Sequence, residues 1–401
     1  MKHLLRLTVP AASLAFVLVG MAAASPGSPT QAAQGRWVIR DLGTLGAPYS
    51  SAGAINERGQ IVGFVYSTSF SPPTRAFLWQ NGKMRELGTL GGPSSYGIDI
   101  SERGQVLGWA DTKRKHYSDE CSCKVPTTHS FLWENGRMRD LGTLGKESQA
   151  SDVNDRGQVV GSSEKRTATT IEHAFLWQNG KMRDLGTLGG EESRANAIND
   201  SGQIVGSAET RNGDKHAFSW QNGKMRDLGT FGGGESSASG INDRGQVIGS
   251  ADTESDRLDP NPHAFLWEEG EMIDLGTVAG LPTSHASDIN ERGQVVGYAT
   301  TGGPDERAFL WENGTMIDLG TLGGRRSRAS DINDRGQVIG WSTIKTGAGH
   351  AFLWQNGKML DLGTLGGRCS GDGAINERGQ VVGYACLKSG RSHAVVWTFK
   401  L

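Results

Sequence analysis

Short hydrophobic runs recur along the chain in a fixed order, each closed by a polar turn that carries glycine. "ASDIN" leads through "DRG" or "ERG" into "QVVG". After a stretch of varying length, "HAFLW" leads through "QNG" or "ENG" into "KMRDLGT". Val, Ile, Phe and Trp favour extended chain, and no proline interrupts these runs. The first pair reads as a hairpin with a bulge-type turn, its Gly taking the left-handed position. The second reads as a hairpin closed by Asn-Gly. Two hairpins per unit predict one four-stranded antiparallel sheet, with strands A, B, C and D in chain order.

The "DLGT" element starts at Asp41, Glu86, Asp140, Asp184, Asp227, Asp274, Asp318 and Asp361, at intervals of 43 to 54 residues. Periods of about 40–50 residues built from short strands mark propeller blades. The repeats open on a lone D strand, "RWVIRDLGTLG" from Arg36, and finish on a C strand, "HAVVWTFKL" from His393. The first strand would complete the last blade and leave no open edge. The expectation is an all-β fold over residues 36–401, a β-propeller of eight four-stranded blades with the N-terminal strand completing the last. A solenoid of similar repeats competes with it but does not account for the complementary ends.

Taken together, "HAFLW", "DLGTLGG" and "INERGQVVG" make the chain similar to the HAF repeat family of exported bacterial proteins, over about residues 36–401. The resemblance implies an exported repeat protein. It carries no established activity.

Export is also read from the residues themselves. Lys2 and Arg6 precede the apolar stretch "LTVPAASLAFVLVGMAAA", which ends in small residues, so residues 1–24 are expected to be a cleaved signal peptide. Residues 25–35 read as a flexible leader, and no later segment spans a membrane. The expected location is secreted, periplasmic or cell-surface. An even count of 4 Cys suits an oxidising compartment. Cys369 and Cys386 lie symmetrically about the "NERG" turn of the eighth A–B hairpin, which predicts a disulfide worth roughly 2–4 kcal/mol. Cys121 and Cys123 are too close for an easy mutual bond, and their partner stays open.

Composition narrows the partners. Net charge is −2 with both signs mixed along the chain, which leaves no basic footprint for nucleic acid. No nucleophile elbow, zinc-protease helix or phosphate loop is present, and no cofactor or metal site is expected. Asn333, Asp334 and Gly336 faintly resemble a calcium loop, but Arg335 stands where a ligand is wanted and turn chemistry explains them. Five of the nine His (His173, His216, His263, His350 and His393) occupy the "HAF" position and read as architectural. The recurring Phe and Trp of strand C read as packing between blades, with a ring of sugar-stacking tryptophans as the bolder alternative.

Length variation shows where the chain is free. Between the Gly of "QVVG" and the Ala position of "HAFLW" the inserts measure 12, 21, 12, 10, 14, 10, 10 and 10 residues. These B–C loops and the D–A loops share one face of a propeller, while tight turns share the other. The longest insert, "WADTKRKHYSDECSCKVPTTH", carries the candidate binding residues Lys113, Arg114, Lys115, His116, Tyr117, Asp119 and Glu120. The reading that follows is a non-catalytic scaffold binding a protein or polysaccharide through this face. A structural envelope or matrix component is one alternative. An extracellular hydrolase or lyase is another, with Asp252, Glu254, Asp256 and Asp259, or Asp305 and Glu306, as its acids.

Overall fold

In the first repeat, strands A (Tyr49–Ile55), B (Ile61–Tyr66), C (Arg75–Gln80) and D (Lys83–Glu86) pair antiparallel in that order. The structure is a computed structural model that describes residues 35–67, 73–118, 122–165, 171–253 and 261–400; the expected signal peptide lies outside them. The same four-strand order recurs through the seventh repeat. In the eighth, A (Gly366–Ile375), B (Val381–Leu387) and C (Ser392–Lys400) are completed by Arg36–Gly43, paired from Arg36↔Lys400 to Gly43↔Ala394. The chain is an eight-bladed β-propeller, closed by its first strand. Neighbouring A strands pack along the axis, whereas D strands barely meet at the rim.

Hydrophobic burial lies between blades, not within them. Val62, Leu78 and Leu87 of the first blade pack with Val106, Phe131 and Trp133 of the second. At the closing seam, Leu42 and Val396 of the eighth blade pack with Ile61, Phe77 and Trp79 of the first. The strand C phenylalanines from Phe77 to Phe352 are fully buried, with Val395 in the eighth copy. The tryptophans two residues on are committed to the same seams. Arg40 of the eighth blade lies 5.0 Å from the Trp79 ring centre, and Arg183 of the third lies 5.2 Å from Trp220 of the fourth. Each such contact contributes about 0.5–1 kcal/mol at a partly exposed site.

The glycine ending strand B is set by a bulge in strand A. In the seventh blade the register shifts between Ala329 and Asp331, which crowds the backbone of A against B. A Cβ on Gly340 would lie 2.0 Å from the Arg328 carbonyl oxygen and 2.8 Å from the Phe352 ring. Only glycine fits there.

Polar belts then tie blade to blade. The Asn290 side-chain oxygen accepts the N–H groups of Arg292 and Gln294 within its own turn. Its amide donates to Gln294 Oε1 at 2.7 Å and to the Asn333 carbonyl of the next blade at 3.1 Å. The pattern recurs in every blade but the second, where Ser101 replaces the Asn, and at Asn376 the amide reaches the Asn56 carbonyl of the first blade. One residue on, Glu57, Glu102, Asp155, Asp200, Asp243, Glu291, Asp334 and Glu377 each accept the corresponding backbone N–H of the preceding blade. Turn chemistry thus uses the "ND" and "NE" pairs without an ion. The "HAF" histidines bond across the C–D hairpin, as between His173 Nδ1 and Asp184 at 2.8 Å, and in the last blade His393 meets Asp41 of the first strand.

Two substitutions test these constraints. Gly340→Ala meets backbone that no side-chain motion relieves, so denaturant unfolding is expected to show a loss of about 1–3 kcal/mol or more. Asn290→Ala leaves buried turn N–H groups unpaired and is expected to cost about 2–3 kcal/mol in the same measurement. A wild-type midpoint in either variant contradicts the account.

Candidate functional site

The two ends of the ring differ in kind. A–B and C–D turns share the end that carries the belts, and B–C and D–A loops share the other. On the loop end, strands B (Val106–Ser118) and C (Cys123–Glu134) of the second blade run on well beyond those of its neighbours, pairing out to Ser118↔Cys123. The described residues of the long insert therefore form a β-finger. Lys113, Arg114, Lys115 and Tyr117 are exposed on it, Tyr117 by 59%. His116 is half-buried, with Nδ1 3.6 Å from Glu147 of the third blade. Asp119, Glu120 and Cys121 lie outside the described residues. Cys123 is disulfide-bonded, and Cys369 bonds Cys386 with a Cα–Cα distance of 5.2 Å, the pairing expected from the turn symmetry.

A second feature of this end was not singled out in the sequence. The residue after the strand B glycine is aromatic in some blades and small in others. It is Phe64, Trp109, Tyr298, Trp341 or Tyr384 in blades one, two, six, seven and eight, and Ser162, Ser207 or Ser250 in blades three, four and five. Where it is aromatic, the seam is filled. Phe64 meets Tyr96 of the second blade at 5.4 Å between ring centres, and Tyr298 lies 4.4 Å from the Arg328 guanidinium of the seventh.

Beside the serines of the fourth and fifth blades the seam is open, whereas Ser162 of the third is buried. A cleft of about 640 Å³ runs from the fourth blade to the sixth, lined by Ser207, Glu235, Ser237, Ser250, Asp252 and His285 among others. The side-chain hydroxyls of Ser207, Ser237 and Ser250 make no hydrogen bond among the described residues. Asp252 accepts the Glu235 N–H at 3.1 Å, and Lys215 pairs with Glu192 at 3.1 Å. His285 closes the far end against Tyr298, with ring centres 5.1 Å apart. Burial, followed by the Arg328 charge, lowers the His285 pKa, so the imidazole is neutral. A larger hollow of about 770 Å³ lies on the turn end between blades two and three, but its walls (Arg139, Trp177, Gly157) belong to the repeated scaffold.

The acids considered for hydrolysis are differently placed. Asp305 is gripped by Arg325 through two contacts of 2.9 Å, and the buried Glu306 is held by Arg326 and Arg328. Asp252 lies in the cleft; Glu254, Asp256 and Asp259 lie outside the described residues. Two carboxylate pairs not picked out from the sequence line the axis instead, Asp99 with Asp152 and Asp288 with Asp331, each bridging neighbouring blades. Burial, then the Asp99 charge, pushes Asp152 up to about 8. Asp152 also accepts the Ile198 N–H of the next blade at 2.8 Å, and Asp331 accepts that of Ile375 at 2.9 Å. Each pair works as a proton-sharing latch between blades. Among the described residues no three His, Cys, Asp or Glu side chains gather as a metal would require.

A family described as "Protein of unknown function (DUF3466)" matches residues 138–231, well under half of the chain. No curated protein sequence matches. Among solved structures, the β-propeller domain of the Trilobed protease from Pyrococcus furiosus is similar at 9% identity and a TM-score of 0.50, covering 79% of this chain and 98% of that one. An acylaminoacyl peptidase from Pyrococcus horikoshii matches at 11% identity and a TM-score of 0.49, covering 84% of this chain and 57% of its own. TolB from Acinetobacter baumannii matches at 11% and 0.40, covering 75% and 77%. At these identities the likeness is one of fold.

The axial latches predict a pH signature. Asp152 holds its proton in the fold up to about 8, whereas an unfolded Asp releases it near 3.8. Between those values the native state binds more protons than the unfolded one, so this pair's contribution to stability falls as pH rises. Asp152→Asn, which keeps an acceptor and supplies a permanent donor, is expected to raise Tm at pH 8 and leave it unchanged near pH 4. An equal shift at both pH values contradicts the shared proton.

Proposed function

We propose that the protein is an exported, non-catalytic propeller that binds a macromolecule, protein or polysaccharide, through its B–C loop face. The observation that carries this reading is the division of labour between the two ends. The turn end repeats the same inter-blade bonds in blade after blade, while the loop end alone varies in length and in seam filling. Rigid scaffolds commonly present recognition on such individual loops. The contacts are assigned to the second insert, through Lys113, Arg114, Lys115, His116, Tyr117, Asp119 and Glu120. Tyr117 supplies an amphipathic ring beside three cations, a composition frequent at binding hot spots.

Export is supported by the leader pattern at residues 1–24 and by a disulfide, which an oxidising compartment maintains. Secretion, periplasm and cell surface all satisfy it. Among the described residues no helix is long and apolar enough to cross a membrane. Binding of this kind requires no cofactor.

The test is a binding screen of residues 25–401 against glycans and envelope proteins, run beside a chain whose second insert is cut from 21 residues to 10. A ligand that binds the first and is weakened at least about tenfold in the second supports recognition through the finger. Binding that survives shortening places the contacts elsewhere. Turnover of a substrate, lost when an acidic pair is changed in a folded protein, overturns the non-catalytic reading.

A further inference from the structure

The cleft between the fourth and sixth blades has a chemistry distinct from that of the finger. Its walls are polar, with three partnerless hydroxyls and three carboxylates, Asp214, Glu235 and Asp252, so it does not suit a lipid or an apolar ring system. A partnerless hydroxyl on a protein wall both donates and accepts, which matches a ligand that carries many hydroxyls itself. Carboxylates accept from such hydroxyls strongly, and a charged acceptor roughly doubles the strength of the bond. Charge excludes another class. Lys215, the one cation on the wall among the described lining residues, is already paired with Glu192. An acidic ligand would therefore face Glu235 and Asp252 without compensation.

Size and shape agree with this. About 640 Å³ falls within the usual range of small-ligand sites, about 300–1,000 Å³. The open cleft follows the seam, and His285 against Tyr298 forms a flat terminus at one end. The space exists because serine stands where the other five blades carry an aromatic side chain.

We infer that this cleft is a subsite for a neutral saccharide, in which Ser207, Ser237 and Ser250 and the carboxylates of Glu235 and Asp252 bond the sugar hydroxyls. The assignment rests on the loop end being a binding face, and it names saccharide as one class of ligand that the face takes.

The experiment fills the cleft with residues the position already carries elsewhere. Ser207→Phe and Ser250→Tyr reproduce the side chains of the first and eighth blades. Glu235→Gln removes one acceptor charge at an exposed position as a milder variant. Residues 25–401 are titrated calorimetrically with neutral oligosaccharides of glucose, galactose, mannose and N-acetylglucosamine, and with an oligogalacturonate as the acidic control. One neutral oligosaccharide is expected to bind the wild type and to weaken at least about tenfold in both filled variants, each with wild-type Tm. A clear loss in Glu235→Gln is expected beside it.

Three outcomes overturn the inference: no neutral saccharide binds, the filled variants bind as the wild type does, or the galacturonate binds best. Loss in the finger-shortened chain with retention in the filled variants removes the cleft but leaves the binding face standing. Loss of the face as a whole instead requires that no ligand of any class depend on either change.

Discussion

The ladder between Arg36–Gly43 and Ser392–Lys400 turns a row of sheets into a ring, and the rest of the molecule depends on it. Each blade has only a fraction of a core. Its Phe and Trp find their apolar neighbours on the preceding blade, so a row of eight would leave one face bare at each end. Closure supplies the eighth seam, where Leu42 and Val396 cover Phe77 and Trp79. It also supplies the last link of both polar belts, Asn376 to Asn56 and Glu377 to Glu57. The Cys369–Cys386 bond lies within the closing blade and joins its A and B strands, so it stiffens the sheet that receives the first strand.

That dependence explains how strictly the turn end is built. A buried Asn amide has few ways to satisfy all its groups, and here it does so only if the next blade sits at the correct distance. The bulge and its glycine fix the same spacing from the side. Toward the loop end a serine belt also repeats in every blade, as where Ser327 accepts the Ala308 N–H of the preceding blade at 2.9 Å, and only the loops beyond it answer to packing alone. Variation is therefore tolerated there, from the finger on the second blade to the open seam on the fifth.

Much of this was legible in the sequence because it is written eight times. Strand order, hairpins, blade count and the completing strand all follow from period and turn chemistry. The disulfide follows from symmetry about a single turn. Partners in neighbouring blades were not legible. The Asn of a turn such as "INE" at Asn290 reads as a local turn residue, which accounts for three of its four side-chain bonds; the fourth reaches the carbonyl of Asn333, 43 residues away. Asp99 and Asp152 look like separate polar positions until the ring brings them together. The cleft was hidden for another reason. Its signal is a small residue in three copies of one column, and repetition directs attention to what stays the same.

The seam position after the strand B glycine accepts Ser250 and Trp341 on the same backbone path. Backbone path and seam filling are thus specified by different residues of the same short motif. A duplicated repeat arrives with its structural half intact, and drift at a single codon then decides whether the new blade brings a closed wall or a compartment. Such a lineage can change what it recognises without passing through an unfolded ancestor.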